Sequence, residues 1–307
     1  MRPLVVVCGP TASGKTKLAV DLALTHGGEV VSADSMQVYR GMDIGTAKPT
    51  SAEMRGVAHH LVDILEPGED FSVAQYAKLA RETIADIHAR GKLPILAGGT
   101  GLYIKAIADN IQYTDMPEDE VLRKRLRNEA DELGGGALLE RLAKVDPMLA
   151  EGLHQNDVGR IIRALEVYEL TGERMSVWQE RSRKDAAGYK LCMVGLGFRD
   201  RELLYERIGQ RVDAMLGAGL LDEAKTLYDS GFSGTAAQAI GYKELFGYFR
   251  GEVSLEEAAE RLKQETRRYA KRQLTWFRRD GRINWLYLDD GYDAALAEAR
   301  GLIGEGV

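Results

Sequence analysis

The stretch Leu4–Thr16, LVVVCGPTASGKT, decides the fold, because a short apolar run leads directly into a glycine-rich loop. The loop satisfies the pattern G-x-x-x-x-G-K-[ST] with Gly9, Gly14, Lys15 and Thr16. The glycines let successive backbone N–H groups point into one concavity that suits phosphate oxygens. The lysine then serves the terminal phosphate and the hydroxyl can ligate Mg²⁺. An ordinary turn would not need that lysine–threonine pair, so the stretch predicts a phosphate-binding site.

The alternation of strand-like and helix-like segments predicts the fold class. Apolar strand-like runs recur at Leu4–Cys8, Glu29–Ala33, Leu93–Ala97, Cys192–Phe198 and Asn284–Leu288. Helices alternate with the first three runs, and the clearest is Ser72–Arg90, which opens on a capping box and stops before Gly91. The pattern predicts an α/β fold, a parallel P-loop sheet wrapped by helices. Ligands then bind at the carboxyl ends of the strands, where Gly9, Asp34 and Gly98–Gly101 should converge.

The domain organisation follows from where this alternation stops. Between residues 115 and 190 the strand pattern disappears and charged helical segments such as EDEVLRKRLRNEADELG take its place. A strand-like run then resumes the sheet. We therefore expect a P-loop core from 1–114 and 191–307, with a helical C-terminal part, and a helical insertion domain at 115–190.

Bulk composition is that of a soluble globular protein, with 45% hydrophobic and 29% charged residues. No apolar run approaches the roughly 20 residues of a membrane-spanning helix, and the first residues feed the phosphate loop, so we expect no membrane segment and no signal peptide. The two cysteines, Cys8 and Cys192, lie in apolar runs and offer no metal-binding spacing. They suit two buried core thiols in a reducing, cytoplasmic protein.

The charge distribution leaves a nucleic-acid partner open. The formal net charge of −6 argues against one, but Arg261–Arg282 carries nine basic and two acidic residues, a local balance of +7. Tyr269, Trp276 and Phe277 are interleaved with the basic residues. The segment suits an RNA-backbone face, and it equally suits a solvated amphipathic helix whose aromatic side chains pack on the core.

Two polar side chains beside the phosphate loop are candidates for chemistry. Asp34 follows the second strand, where a carboxylate could assist Mg²⁺ or act as a general base; otherwise it caps a turn. In AGGTGLY, Ala97–Tyr103, glycines allow a close backbone approach around the Thr100 hydroxyl, a candidate hydrogen-bond partner of a phosphate or of Asp34. His59 and His60 are adjacent and would point to opposite faces of a strand, so a shared metal ion is disfavoured.

Six segments together resemble one family. In order along nearly the whole chain, these are GPTASGKT, SADSMQVYRGMDIGTAKP, GGTGLY, DVGRIIRALEVYELTG, QAIGYKE and KRQLTWFR. They resemble the bacterial tRNA dimethylallyltransferases, also called tRNA isopentenyltransferases. The resemblance implies transfer of a dimethylallyl group from dimethylallyl diphosphate, with Mg²⁺, to N6 of adenosine-37 in tRNAs that read codons beginning with U. The partner would be the anticodon stem-loop.

The same resemblance implies roles for individual residues. Asp34 would be the general base, with Thr100 and Lys15 as further catalytic residues and Thr16 as the metal ligand. The donor diphosphate would contact Gly9, Pro10, Thr11, Ala12, Ser13, Gly14, Lys15, Thr16, Arg207 and Arg211, and which of the two arginines does so stays open. The tRNA would contact Asp34, Ser35, Met36, Gln37, Thr100, Arg123, Gly159, Arg160, Ile161, Ile162, Arg163, Ile240, Gly241, Tyr242, Lys243, Glu244, Leu245, Arg272, Gln273 and Trp276. In QAIGYKE we expect exposed side chains at Tyr242 and Lys243.

Three other functions remain alternatives. A small-molecule or nucleoside kinase could use ATP with the same loop, and a prenyltransferase could act on free adenine nucleotides. A non-catalytic RNA-binding ATPase is the third. The long helical insertion and the basic segment favour a large RNA over a free nucleotide, and we expect a monomer.

Overall fold

A parallel β-sheet forms the centre of the fold. The computed structural model describes residues 1–111, 118–182, 188–231 and 234–306. Within these residues the sheet has six strands: β1 (Arg2–Cys8), β2 (Gly28–Ser32), β3 (His59–His60), β4 (Leu93–Gly98), β5 (Tyr189–Gly197) and β6 (Ile283–Tyr287). The strand order is β3-β2-β4-β1-β5-β6, and every pairing is parallel. The α/β fold class predicted from the sequence is confirmed.

The helices follow the strands in the order that a parallel sheet requires. Before the insertion they are α1 (Lys15–His26), α2 (Ser51–Met54), α3 (Val73–Ala89) and α4 (Gly101–Ala108). The insertion contains α5 (Glu120–Leu133), α6 (Gly135–Val145), α7 (Pro147–Glu151), α8 (Val158–Thr171) and α9 (Met175–Arg181). The chain continues with α10 (Arg201–Gly217), α11 (Leu220–Ser230), α12 (Phe246–Phe249), α13 (Leu255–Phe277) and α14 (Tyr292–Gly306), and single 3₁₀ turns lie at Ala236–Gln238, Lys243–Leu245 and Leu288–Asp290.

Local sequence explains where the main elements begin and end. Leu4–Cys8 of β1 are fully buried, as expected for a central strand of a sheet covered on both faces. Helix α3 begins after Ser72, whose Oγ accepts a hydrogen bond from the backbone N–H of Gln75, and the Gln75 side chain accepts one from the backbone N–H of Ser72. Gly91 follows this helix with φ +70°. These are the capping box and the left-handed stop that the sequence predicts.

The chain divides into two compact units. One comprises Met1–Ala108 and Ala187–Val307, and the other comprises Asp109–Ala186. The second unit has its own apolar core, which includes Leu126, Leu138, Leu142 and Ile161. The predicted boundary between residues 114 and 115 lies outside the described residues, and the predicted role of the insertion in binding tRNA stays a prediction.

The sequence does not predict β3, because a strand of two residues is too short to show a pattern. His60 of this strand contacts the buried carboxylate of Glu29 through Nε2 at 2.7 Å, and Arg90 and Lys92 pair with the same carboxylate. His59 contacts the carbonyl oxygen of Val57 through Nδ1 at 2.9 Å. The two histidines therefore have separate partners at the edge of the sheet.

Candidate active site

The phosphate loop curls tightly at the carboxyl end of β1. Gly9 has φ +142°, and a Cβ at this position would lie 2.5 Å from the carbonyl oxygen of Leu196 in β5. A side chain is therefore excluded here by both conformation and space. Helix α1 begins at Lys15, directly after the loop, so its free backbone N–H groups face the concavity. The geometry is that of an anion cradle.

Lys15 lies within this cradle with a weakened preference for its charged form. Its Nζ donates a hydrogen bond to the carbonyl oxygen of Pro10 at 2.7 Å. Burial, together with the neighbouring charge of Arg211, lowers the pKa of Lys15 to about 8. An incoming anion would stabilise the charged form and reverse this effect.

Two arginines of α10 stand beside the loop. Arg207 donates from Nε to the carbonyl oxygen of Ala12 at 2.9 Å. Arg211 is one helical turn further along the same face. Burial lowers the pKa of Arg211, and the charge of Asp34 acts in the opposite direction. Arg207 thus contacts the phosphate loop directly, and contact of either arginine with a diphosphate stays a prediction.

Asp34 lies two residues after β2, and its negative charge acts on Lys15 in the cradle. Its Oδ1 accepts a hydrogen bond from the backbone N–H of Met36 at 2.9 Å, which fixes the turn. Burial has the largest effect on three neighbouring groups: it lowers the pKa of Lys15 and of Arg211 and raises the pKa of Tyr269. The negative charge of Asp34 raises all three pKa values. The carboxylate is therefore near enough to interact electrostatically with groups of α1, α10 and α13.

Thr100 joins the loops that follow β2 and β4, which are neighbours in the sheet. The backbone N–H of Ser35 donates to Thr100 Oγ1 at 2.9 Å, and Thr100 Oγ1 lies 3.3 Å from Ser35 Oγ. The backbone N–H of Thr100 donates to the carbonyl oxygen of Ala33 at 3.0 Å. The carboxyl ends of the strands thus bring Thr100 and the segment of Asp34 together, as expected from the topology.

The side chain of Gln37 is engaged within its own loop. Its Oε1 accepts from Ser32 Oγ at 3.2 Å, and its Nε2 donates to the carbonyl oxygens of Thr46 and Ala47. Ser35 and Met36, which precede it, are half-buried. Gln37 therefore stabilises the fold of the loop, and contact with RNA at this position stays a prediction.

The expectation of an exposed Tyr242 is wrong. Tyr242 is fully buried, and its ring lies so close to Gly45 that a Cβ there would be 2.5 Å from the ring. Its hydroxyl donates to Glu223 Oε1 at 2.8 Å. Lys243, by contrast, is exposed as expected. Glu244 stabilises the turn, because its Oε2 accepts a hydrogen bond from the backbone N–H of Gly241. Leu245 is buried and Ile240 is half-buried.

Glu223 is a structural residue that the sequence does not reveal. Its carboxylate accepts hydrogen bonds from three consecutive backbone N–H groups, those of Asp43, Ile44 and Gly45, each at 2.9 Å. A glutamate in the first turn of a helix is ordinary because of the helix dipole. Nothing local to α11 therefore indicates the distant loop that this carboxylate binds.

The middle of α13 combines an exposed basic surface with a buried face. Arg272 is exposed, with its guanidinium 5.7 Å from the centre of the Tyr269 ring. Lys271, Arg272, Thr275, Trp276 and Arg279 line an open groove. Gln273, between them in sequence, is only 6% exposed. The two descriptions that the sequence left open, basic surface and packed amphipathic helix, apply to different faces of the same helix.

The second unit contains the remaining predicted RNA contacts. Gly159 and Arg160 are exposed on the first turn of α8, whereas Ile161 and Ile162 are buried in the core of that unit. Arg123 and Arg163 both pair with the fully buried Glu166. These contacts join Arg123 Nε and Arg163 Nη1 to the carboxylate at 2.8 and 2.6 Å.

Comparison with known proteins identifies the family. A family model described as IPP transferase matches residues 37–280. The chain belongs to the IPP transferase family.

Relatives within the IPP transferase family cover nearly the whole chain. A tRNA dimethylallyltransferase of Thermoanaerobacter sp. is 51% identical over 94% of this chain and 92% of its own length. One of Geobacillus thermodenitrificans is 53% identical over 94% of this chain and 91% of its own length. These proteins, like the structures below, are similar to this chain throughout both units.

Solved structures of the IPP transferase family share the fold. The full-length tRNA isopentenylpyrophosphate transferase of Bacillus halodurans has a TM-score of 0.74 at 47% identity, covering 100% of this chain and 98% of its own. A eukaryotic dimethylallyltransferase acting on tRNA has a TM-score of 0.81 at 30% identity, covering 98% of this chain and 78% of its own. The similarity therefore includes the arrangement of strands and helices.

The donor set of this IPP transferase suits a magnesium ion that is shared with a phosphate ligand. Among the described residues, no group of three or more histidine, cysteine, aspartate or glutamate side chains could hold a metal. Mg²⁺ commonly needs only one or two protein oxygens when substrate phosphates and water complete its shell. The Thr16 hydroxyl, at the second position of α1, fits such a site.

Among the residues that the structure describes, no helix is long and apolar enough to cross a bilayer.

Proposed function

We propose that this protein transfers a dimethylallyl group from dimethylallyl diphosphate to N6 of adenosine-37 in tRNAs that read codons beginning with U. The observation that carries the proposal is the convergence of the phosphate loop, Asp34 and Thr100 at the carboxyl ends of β1, β2 and β4. A diphosphate leaving group and a proton acceptor are the two requirements of this alkylation. The names of the relatives, which are tRNA dimethylallyltransferases, support the same reaction.

The cradle would bind the diphosphate of the donor. The bond from the allylic carbon to the diphosphate oxygen breaks, and the new bond forms between that carbon and N6. Backbone N–H groups of the loop, Lys15 and the arginines Arg207 and Arg211 would stabilise the charge that develops on the leaving group. A Mg²⁺ ion held by Thr16 would supply further neutralisation of the diphosphate when bound.

Asp34 would accept the proton that N6 loses. A carboxylate within hydrogen-bond reach of the amine is the geometric requirement for a general base. Thr100, whose hydroxyl is fixed by the backbone N–H of Ser35, would orient the amine or the donor beside it. The chain's own residues thus divide the work into binding the leaving group, orienting the acceptor and taking the proton.

The tRNA would be bound by the basic surface of α13 and by the second unit. Arg272 and Lys271 are exposed on α13 and suit the phosphate backbone. Trp276 is half-buried, covers Gly101 and also lines the groove beside these two residues, so its remaining exposed part suits stacking with an unpaired base. Arg160 is exposed at the start of α8 in the second unit. Adenosine-37 must leave the stack of the anticodon loop to react, and such contacts would offset the cost of unstacking.

A direct transfer assay tests this function. Radiolabelled dimethylallyl diphosphate and Mg²⁺ are mixed with the protein and an anticodon stem-loop that has three adenosines at positions 36–38. The matched control carries guanosine at position 37. We expect label on the first RNA alone.

The alternatives predict different outcomes in the same experiment. Label on free adenine nucleotides with none on either RNA would favour the prenyltransferase that uses free nucleotides. Consumption of ATP without any prenylated product would favour a kinase or an ATPase. Label on both RNAs would contradict adenosine-37 as the acceptor.

A further inference from the structure

One face of α13 packs directly on both glycine-rich loops of the site. Tyr269, Gln273 and Trp276 are spaced four and three residues apart and therefore share one side of the helix. Trp276 covers Gly101, where a Cβ would lie 2.2 Å from the indole Cδ1. Tyr269 is half-buried; burial raises the pKa of its hydroxyl, and the neighbouring side chains of Thr100 and Gln273 act in the opposite direction. The three side chains form a stripe, Tyr269–Gln273–Trp276, that faces the loops.

Gln273 is the member of this stripe that joins the two loops. Its Oε1 accepts a hydrogen bond from the backbone N–H of Thr11 in the phosphate loop at 2.8 Å. Its Nε2 donates to the carbonyl oxygen of Gly99 in the second loop at 2.9 Å. A primary amide has one acceptor and one donor group, and here each is used on a different loop.

The space around Gln273 shows how closely this connection is built. A Cβ on Gly99 would lie 2.2 Å from Gln273 Nε2, so only glycine admits the amide at this distance. The side chain is almost completely buried, and the two hydrogen bonds that join it to the loops are made with backbone groups. These features are those of an internal connection between loops, whereas an RNA contact would require an exposed amide.

The neighbouring residues of α13 have the opposite orientation. Lys271 and Arg272 are exposed, immediately before Gln273, and Thr275 is exposed shortly after it. The helix therefore carries a basic outer face and the Tyr269–Gln273–Trp276 stripe on its inner face.

We propose that Gln273 is a positioning residue that sets the distance between the phosphate loop and the Thr100 loop, and that it does not contact RNA. The proposal rests on the proposed function, because the two loops would hold the donor diphosphate and the acceptor amine. Fixing them relative to one another fixes the alignment of the reacting atoms. Misplacement of about 1 Å can cost on the order of 100-fold in rate.

Two substitutions separate the bonds that Gln273 makes. Gln273→Met keeps the length of the side chain and removes both hydrogen bonds. Gln273→Glu keeps the acceptor for the Thr11 N–H and loses the donor to Gly99. The control is Gln264→Met, the same change about two and a half turns earlier, on the opposite, exposed side of α13.

The measurements are the affinity for inorganic pyrophosphate with Mg²⁺, the affinity for the anticodon stem-loop, and kcat and KM for transfer. For Gln273→Met we expect kcat to fall by about 100-fold, with weaker pyrophosphate binding and unchanged RNA affinity. For Gln273→Glu we expect pyrophosphate affinity closer to wild type than in the methionine variant, with kcat still reduced. Gln264→Met should match the wild type in pyrophosphate affinity and in kcat, and circular dichroism melting establishes that each variant is folded.

Two results would overturn the proposal. One is a loss of RNA affinity in Gln273→Met with kcat retained at saturating RNA, which would make Gln273 an RNA contact. The other is wild-type behaviour of both Gln273 variants in pyrophosphate binding and in kcat. If the wild-type protein transferred no prenyl group at all, the proposed function would fail, and the pyrophosphate affinities alone would still decide whether Gln273 positions the phosphate loop.

Discussion

Asp34 is the side chain on which the proton-transfer hypothesis depends. Replacing it by Asn keeps the acceptor for the Met36 N–H that fixes the turn and removes the basic oxygen. We expect kcat to fall by on the order of 10²–10⁴-fold, the usual contribution of a general base. The measurement is single-turnover transfer, with binding of the donor determined in parallel. An Asp34→Asn protein that turned over at nearly the wild-type rate would exclude Asp34 as the base.

Lys15 gives a prediction for pH dependence. Burial lowers its pKa to about 8 in the folded protein, so its charge is present below that pH and is lost above it. A bound diphosphate favours the charged form, and affinity should therefore be full near neutral pH and fall as the pH rises above about 8.

Titration calorimetry with the donor between about pH 7 and pH 9 measures this effect. We expect affinity to weaken by up to about tenfold per pH unit above the pKa of Lys15. Lys15→Met should bind weakly and without this fall, because it has no group to titrate. An identical pH profile in the variant and the wild type would assign the titration to another group.

The loop from Gly41 to Lys48 is held by α11 through one carboxylate. Glu223 accepts the N–H groups of Asp43, Ile44 and Gly45 and the hydroxyl of Tyr242. Glu223→Gln would place an amide nitrogen against backbone donors. We expect the free energy of unfolding to decrease by about 2 kcal/mol, and by about 1 kcal/mol for Tyr242→Phe, which loses one bond. Urea denaturation measures both changes.

The neighbouring acidic residue provides the control for this prediction. Asp222 is exposed on the same turn of α11, and Asp222→Asn should change the free energy of unfolding by less than about 0.5 kcal/mol. Equal stability of the Glu223→Gln protein and the wild type would mean that the loop is held by its other contacts. Among these, Lys48 pairs with Asp43 and Asp63.

The elements also show how far sequence alone could predict this structure. The phosphate loop and the capping of α3 depend on residues close in the chain, so the sequence predicts them well. The convergence of the loops after β1, β2 and β4 follows from parallel topology. The contacts of Glu223, Gln273 and Tyr242 join distant segments, and no local pattern indicates them. The two-residue strand β3 was missed because two residues have no periodicity.

Considered as a whole, the molecule is acidic but carries a concentrated basic segment that begins within α13 and continues past its end. The net charge is −6, whereas Arg261–Arg282 has a balance of +7. Binding of RNA through this surface should weaken steeply as salt rises, since counterions are released from the phosphates. Arg272→Ala should reduce the slope of log affinity against log salt by about 0.7–0.9, the value of one phosphate contact.

Fluorescence anisotropy of a labelled stem-loop at several salt concentrations measures that slope. The control is Arg300→Ala on α14, where the arginine is exposed and donates to Thr25 Oγ1. It should leave the slope unchanged. Equal slopes for Arg272→Ala and the wild type would remove Arg272 from the RNA-binding surface.

The order of strands in the sheet has a consequence for the nascent chain. β1 ends at Cys8, yet its neighbours β4 and β5 begin only at Leu93 and Tyr189. During synthesis on the ribosome, β4 is available to pair with one edge of β1, but the edge of β1 that β5 covers stays unpaired while the whole insertion is translated. Such an edge invites pairing with other chains. We expect ribosome-bound fragments that stop before β5 to require a chaperone, and longer ones that include β5 to be released from it.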